Sequence, residues 1–372
     1  MKKAAAVFTV LFILIIAVPA PFSNYSGSVS EKENRNLAEA PQLTKSGRVN
    51  FDFFKDAESY LNDRVGFREL LTGLNSSLNY RLLRKRGNSR ALLGKEGWLF
   101  YIDRNDGNNL LDFQKRNLFS PAELVLFYEQ VRRRAEWCEN LGIQFLFIIA
   151  PNKHSVYSEY YPFRRPGGMT RLDQILDGMP DELKDKVIVP RDYLLSKKDD
   201  PLGPLYYETD THWNMLGGFY ACEFLREAVK AAFPETAFPE IRYRKTVTRV
   251  PGAGDIVPML GLESYGKETK IAIEPESGWE TYYSYTIKED VPIGEHVVTD
   301  GVDPALPRAL IYRDSFFRAV QPYFSNDFSH AEYIWKILDE NDKAYIREQK
   351  PDILIWEIVE RYAGNVPGSW WR

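Results

Sequence analysis

The chain has few of the residues from which metal and disulfide chemistry is built. Its 372 residues include two cysteines, Cys138 and Cys222, and four histidines, His154, His212, His296 and His330. Two thiols cannot form a disulfide framework, so a chain of this size depends on an apolar core. Each cysteine falls inside a segment of helical pattern, and two buried, inert thiols are the expectation. No Cys/His cluster has zinc spacing, so neither a metal nor another cofactor is expected. Long Lys/Arg runs are missing, and the net charge is -4. That leaves no surface for neutralising phosphates and argues against nucleic acid as a partner. There is no internal repeat and no low-complexity tract. What remains has the apolar, charged and aromatic content of a globular protein, long enough for one large domain or two ordinary ones.

One long apolar run is present, at the N-terminus. Lys2 and Lys3 precede the segment from Ala4 to Ala20. A basic flank followed by an apolar stretch is the pattern of a signal peptide or signal anchor, with the positive side kept in the cytoplasm. The run is near the short end of the roughly 17–25 residues that span a bilayer. Small residues at Val18 and Ala20 suit cleavage after Ala20, and Pro21 opposes it. The expectation is a retained single-pass anchor over 1–23 in the cell membrane, with the rest of the chain extracytoplasmic. Residues 24–50 are polar and irregular and read as a tether.

From Phe51 onward helical and strand patterns begin. Phe53, Phe54, Ala57, Tyr60 and Leu61 keep helical spacing, and a second helix is expected over 67–84. Residues 98–102 read as a short strand. Ser120-Pro121-Ala122-Glu123 is a capping box with proline at the first helical position, and Gly142 ends the helix that follows. Residues 143–150 are a continuous apolar run bounded by turn residues, as in a strand buried on both faces. Shorter candidates lie at 187–189, 309–312 and 353–359. Helices alternating with buried strands give an α/β sandwich around a mostly parallel sheet. Residues 240–300 break the rhythm with β-type alternation and many Gly and Pro, and read as a β-rich insertion within one domain spanning 51–372.

Open parallel sheets gather their functional groups beyond the carboxyl ends of the strands. Here those ends are Pro151-Asn152-Lys153, Arg313-Asp314-Ser315 and Glu360-Arg361. Ser315 sits at a strand-to-helix corner, which exposes a hydroxyl and turns backbone N–H groups toward the same space. The commoner role for a serine there is a helix N-cap. A serine nucleophile needs a base. His212 lies in Glu208-Thr209-Asp210-Thr211-His212-Trp213-Asn214, with Asn214 as the N-cap of a helix over 215–231. Asp210, two residues before His212 in extended chain, shares a side with it and would hold its tautomer. An Asp-x-His pair also fits a metal site or a surface pair. His154 and His330 also fall near the edge of the site, so position alone leaves the base open. Asn152, Lys153, Trp213 and Arg361 are candidate substrate contacts, against capping, surface or core roles for each. Asp255 reads as a loop-ordering residue.

Several stretches, taken in order, carry a resemblance. They are residues 30–35 (SEKENR), 62–68 (NDRVGFR), Pro151-Asn152-Lys153 with Tyr157 and Pro162, Asp210-Thr211-His212-Trp213-Asn214, Gly254-Asp255 with Met259-Leu260-Gly261-Leu262, and Arg313-Asp314-Ser315-Phe316. Together they resemble the alginate O-acetyltransferase family, the AlgX/AlgJ group of SGNH-hydrolase-like proteins, over most of the chain from residue 30 on. The family carries its Asp-His pair before its Ser, as here. The resemblance implies an SGNH-hydrolase-like three-layer sandwich with Ser315 as nucleophile, His212 as base and Asp210 as orienter. It implies O-acetylation of hydroxyls on an exported polysaccharide through an acyl-serine. A membrane-bound O-acyltransferase of the MBOAT type would be the partner that supplies the acyl group. The expected layout is that of the single-domain members, without the C-terminal carbohydrate-binding module of one branch. Two other functions fit the same residues: an esterase that removes acyl groups, and a non-catalytic glycan-binding component of an export complex.

Overall fold

The computed structural model describes residues 7–10, 12–13, 17–23, 25, 29–30, 35–45, 48–67, 71, 75, 78, 86–288, 295–369 and 371. The chain separates into two compact units, one of Met1–Gly87 with Val257–Ser264 and one of Asn88–Ile256 with Tyr265–Arg372.

In the first unit the helix Phe53–Arg64 forms where the aromatic and aliphatic spacing placed one. Its last turn holds the preceding chain. Asp63 Oδ2 accepts the N–H of Ala38 at 2.7 Å, and Arg64 Nη1 donates to the Ala38 carbonyl at 2.7 Å. Among the described residues no helix is long and apolar enough to cross a membrane. Lys2, Lys3 and part of the apolar run of the expected anchor lie outside the described residues, as does most of the helix expected over 67–84.

The second unit is built on a seven-stranded sheet. Its spatial order is Tyr283–Lys288, His296–Gly301, His330–Trp335, Arg308–Arg313, Ile353–Val359, Gln144–Ala150 and Val187–Ile188. The last five run parallel, and the first two join them antiparallel at one edge. Central strands of a parallel sheet are buried on both faces and so lose polar alternation, and every residue of Ile353–Val359 is buried. Successive side chains of Gln144–Ala150 enter opposite cores. Leu146, Ile148 and Ala150 pack with Leu216, Leu225 and Val229 of the helix Met215–Ala232. Phe145, Phe147 and Ile149 pack with Phe127, Val131 and Cys138 of the helix Pro121–Glu139. This is a three-layer α/β sandwich with a mostly parallel sheet, and both cysteines are buried and free.

The region 240–300 differs from a single insertion. Tyr243–Pro251 and Lys267–Pro275 pair as an antiparallel hairpin apart from the main sheet. Tyr283–Lys288 and His296–Gly301 belong to the main sheet. Tyr283–Lys288 forms the exposed edge, and His296–Gly301, between it and His330–Trp335, is largely buried.

Candidate active site

The strand Arg308–Arg313 ends at Asp314, and a short 3-10 turn, Ser315–Ala319, follows. Asp314 caps that turn: its carboxylate accepts from the N–H of Phe316 at 2.8 Å and of Val359 at 2.7 Å. Its own N–H donates to Glu357 Oε2 at 2.9 Å. The capping role considered for Ser315 therefore belongs to Asp314. Burial, then the Asp314 charge, pushes the Glu357 carboxyl well above the usual carboxylate range. The Ser315 hydroxyl stands half-buried with its Oγ 2.7 Å from His212 Nε2.

His212 comes from a loop held by groups distant in sequence. Glu268 accepts the N–H of Glu208 at 2.6 Å and of Thr209 at 3.0 Å, and also the Thr209 hydroxyl. The Lys153 ammonium donates to the carbonyls of Tyr207 at 3.0 Å, Glu208 at 3.2 Å and Asp210 at 2.5 Å. Hydrogen bonds to a charged group contribute about 1.5–3 kcal/mol each, which offsets the cost of burying this cation. After the loop, Asn214 caps the helix Met215–Ala232 by accepting from Leu216 and Gly217. The extended segment places Asp210 and His212 on one side. Asp210 Oδ1 is 2.6 Å from His212 Nδ1 and accepts the His212 backbone N–H at 3.0 Å.

Asp255 completes the arrangement. It accepts from the Thr211 N–H at 2.7 Å and the Thr211 hydroxyl at 2.6 Å, while its own N–H donates to Asp210 Oδ2 at 3.0 Å. The glycine before it has a stated purpose, since a Cβ on Gly254 would lie 2.5 Å from the Thr209 carbonyl oxygen and 2.6 Å from Asp210 Cβ. Asp255 Oδ2 is also 3.8 Å from His212 Nδ1.

The charges act in opposition. Burial lowers the His212 pKa, but the hydrogen bond and charge of Asp210, with the charge of Asp255, outweigh it and the net shift is upward. Burial likewise raises Asp210, and the bond to His212 reverses this to hold the carboxylate well below its ordinary range. Asp255 is raised by burial and by repulsion from Asp210. Burial pulls Lys153 down to about 8, against the attraction of Asp210 and its neighbouring carboxylates.

Of the candidate substrate contacts, Trp213 is 1% exposed, with its Nε1 donating to the Phe316 carbonyl at 2.7 Å. It ties the histidine loop to the serine turn and presents no face to a sugar. Lys153 is also turned inward, beneath the Asp210 loop, because three carbonyls satisfy its ammonium. Asn152 and Arg361 are also buried. They line a small pocket with Thr211 and His154, and the Asn152 Nδ2 is buried without a partner among the described residues. Arg361 lies over the Phe316 ring at 5.6 Å, with its Nε 3.3 Å from Asp106 Oδ2. His154 is buried, and burial drives it down to about 3. His296, from the adjacent strand, and His330, on the same strand, both meet Glu332.

The residues that sequence reading passed over are Glu268, Glu357 and the placement of Asp255 beside the dyad. Their partners lie more than forty positions away, so no local spacing marks them. Among the described residues, Asp210, His212 and Asp255 bring donor atoms within 4.8 Å of one another, close enough to hold a metal ion. Those atoms are already engaged with one another, with Thr211 and with backbone N–H groups. A carboxylate on Nδ1 and a hydroxyl on Nε2 is the arrangement that acyl-transfer chemistry uses to activate a serine.

Comparison with known proteins identifies the family and the fold. The family model described as "SGNH hydrolase-like domain, acetyltransferase AlgX" matches residues 91–290, more than half of the chain. A Pseudomonas fluorescens protein named "Probable alginate O-acetylase AlgJ" is 24% identical over 340 residues, covering 87% of this chain and 82% of the relative. Its namesake from Pseudomonas syringae pv. tomato is 24% identical over 253 residues, covering 68% of this chain and 61% of the relative. Among solved structures, Bacillus cereus PatB1 superposes with a TM-score of 0.54 at 16% identity, covering 74% of this chain and 96% of that one. At that identity the likeness is one of fold.

Proposed function

The chain belongs to the SGNH hydrolase-like family of the acetyltransferase AlgX, and on that premise we propose that it transfers acetyl groups to hydroxyls of an exported polysaccharide through an acetyl-Ser315 intermediate. The observation that carries the reading is the bridge made by His212, 2.6 Å from Asp210 on Nδ1 and 2.7 Å from Ser315 Oγ on Nε2. Asp210 fixes the proton on Nδ1, which leaves the Nε2 lone pair to take the hydroxyl proton. Ser315 Oγ then attacks the acetyl carbonyl carbon. The bond to the donor breaks, and His212 returns the proton to the leaving group. In the second half, a sugar hydroxyl gives its proton to His212 and attacks the same carbonyl, and His212 passes that proton to Ser315 Oγ as the bond to it breaks. The first-turn N–H of Ser315 and the unpartnered Nδ2 of Asn152 are the donors we assign to the oxyanion, and Arg361 the cation beside it.

Substrate and setting extend the same proposal. Two relatives are named as alginate O-acetylases, which supports an exported glycan as acceptor. The basic flank and apolar run over 1–23 support a membrane anchor with the domain held outside. A membrane-bound O-acyltransferase of the MBOAT type is the donor partner that this topology calls for, because acetyl groups activated in the cytoplasm must cross the bilayer to reach Ser315.

The test is covalent. Incubated with a chromogenic acetyl ester, the wild-type chain should gain one acetyl group, mapped by peptide mass spectrometry to Ser315. Ser315→Ala, His212→Ala and Asp210→Ala should each lose turnover while circular dichroism stays unchanged, since triad members act as a unit and single losses resemble the combined loss. Wild-type turnover by Ser315→Ala would remove Ser315 as the nucleophile.

A further inference from the structure

The chain that leaves the carboxyl end of the strand Gln144–Ala150 carries a second chemistry. Between Tyr161 and Thr170 it reads Pro162-Phe163-Arg164-Arg165-Pro166-Gly167-Gly168-Met169, and every residue from Phe163 to Met169 is exposed. Two prolines and a Gly-Gly pair disfavour both helix and strand. The turn stands in open space: a Cβ on Gly167 would meet nothing within 4 Å, and Gly168 adopts a φ of +108°. The base of the loop is fixed. Thr170 caps the helix Arg171–Asp177 by accepting the Asp173 N–H at 3.1 Å. Gln174 of that helix accepts the Phe119 N–H at 2.8 Å and donates to the Phe119 carbonyl at 3.1 Å. The Lys115 ammonium donates to the Gly168 carbonyl. Lys115-Arg116-Asn117-Leu118 therefore lies beside the loop. On this surface Phe163, Met169 and Leu118 are 46%, 41% and 45% exposed, so no core covers them.

Cations rim these apolar side chains. Among the described residues Arg116, Arg164 and Arg165 form no ion pair, and Lys115 meets a carbonyl. The neighbouring carboxylates are engaged elsewhere. Asp173 pairs with Arg191 at 2.6 Å, Glu159 with Lys198 at 2.7 Å and Asp106 with Arg361 at 3.3 Å. Glu123 is held by the Ser120 N–H and hydroxyl and faces the charge of Arg171. Burial pushes the Asp112 carboxyl up to about 7. A chain of net charge -4 thus carries a cationic patch here. Apolar side chains framed by Lys and Arg suit the headgroup region of an anionic bilayer, where the apolar groups reach the acyl boundary and the cations meet phosphates. An acidic glycan would offer the arginines its carboxylates but would give Phe163, Met169 and Leu118 no apolar phase. Topology supplies the role. The loop and Ser315 follow the carboxyl ends of parallel strands, Gln144–Ala150 and Arg308–Arg313, with Ile353–Val359 between them. Two strand spacings are about 10 Å. We propose that this patch is a bilayer contact that seats the catalytic edge on an anionic phospholipid surface, so that acetyl groups reach Ser315 from the membrane side. The proposal rests on the acyltransferase reading of the triad for that role, and on the patch alone for its ligand.

The experiment places a fluorophore on the thiol of Met169→Cys, since both native cysteines are buried. The full chain is reconstituted in vesicles with brominated acyl chains, made of phosphatidylcholine alone or with about one-third phosphatidylglycerol. Bromine quenches only a label that reaches the acyl boundary, whatever the N-terminal segment does. The label should be quenched in the anionic vesicles and much less in the neutral ones. A label at Leu141→Cys, exposed just ahead of the amino end of the same strand, should not be quenched. Arg164→Glu combined with Arg165→Glu should lower the docked-to-free ratio about tenfold or more, at about fivefold per cation lost, while ester turnover in detergent is kept. Quenching that is absent, that is indifferent to lipid charge or to the double reversal, or that is equal at Leu141→Cys would each overturn the proposal. A label that responds to hexamannuronate in detergent and not to the vesicles would assign the arginines to an acidic glycan and overturn it too. Lipid contact by a wild-type chain without ester turnover would uphold the patch and overturn the triad reading.

Discussion

His212 is held by two carboxylates, and they differ in what they do. Asp210 makes the direct bond on Nδ1, whereas Asp255 stands 3.8 Å away and holds Thr211. Both charges favour the imidazolium, so the His212 pKa is raised above its ordinary value. A base must be neutral to act, and turnover should therefore fall as pH drops through a midpoint above about 6.5. Asp255→Asn removes one of the charges that favour protonation and should move the acid limb of kcat/KM to lower pH, with neutral-pH turnover largely kept. The pH profile of acetyl-ester turnover measures this, and an unmoved midpoint would show that Asp255 does not act on His212. At this scale the sequence was partly legible. Asp210-x-His212 shares a side in extended chain, which spacing alone indicates. Ser315 was legible from its corner after a strand. Trp213 and Lys153 misled, because a long side chain with a polar tip at a sheet edge can turn inward as readily as outward.

Elements meet at the site through close backbone approach. The helix Met215–Ala232 lies against the Ser315 turn at Gly218, where an added Cβ would fall 2.3 Å from the Ala319 carbonyl oxygen. Ala has the higher helix propensity, by about 0.8–1 kcal/mol, so a free helix would gain from Gly218→Ala. Here the clash should win, with a net loss of about 1–3 kcal/mol and reduced turnover as the turn carrying Ser315 shifts. Thermal unfolding with parallel ester assays checks both, and a variant more stable than wild type would contradict the packing described. Element reading succeeded where patterns were strong. The capping box at Ser120 was legible, and it forms with both of its hydrogen bonds. The apolar runs over 143–150 and 353–359 were legible as buried strands. His330–Trp335 escaped because His330 and Glu332 interrupt its apolar character, and they do so to bind each other and His296 across the sheet. The strands Tyr283–Lys288 and His296–Gly301 were read as an insertion, since β-type patterning does not say which sheet a strand joins.

At the scale of the whole molecule, an anchor over 1–23, as proposed, would hold the acyl-transferring unit outside the cytoplasm. Protease added to spheroplasts should digest the folded unit while the N-terminal segment stays with the membranes. Protection of the whole chain, with recovery in the cytosol, would contradict that placement. The fold class was legible because helix and strand periods alternate along the chain, and the functional unit was legible because parallel strands end at one edge. The central claim is that acetyl-Ser315 passes its acetyl group to a sugar. Water competes at its bulk concentration, so a transferase must seat the acceptor hydroxyl with a large effective molarity. The direct measurement is partition of the acetyl group. The full chain is charged with an acetyl ester, offered the oligosaccharide it binds, and both free acetate and glycan mass are followed. The account predicts oligosaccharide carrying one added acetyl group, formed at the expense of acetate and absent with Ser315→Ala. Ester consumed with acetate as the sole product, in the presence of a bound oligosaccharide, would contradict it and make the protein a hydrolase.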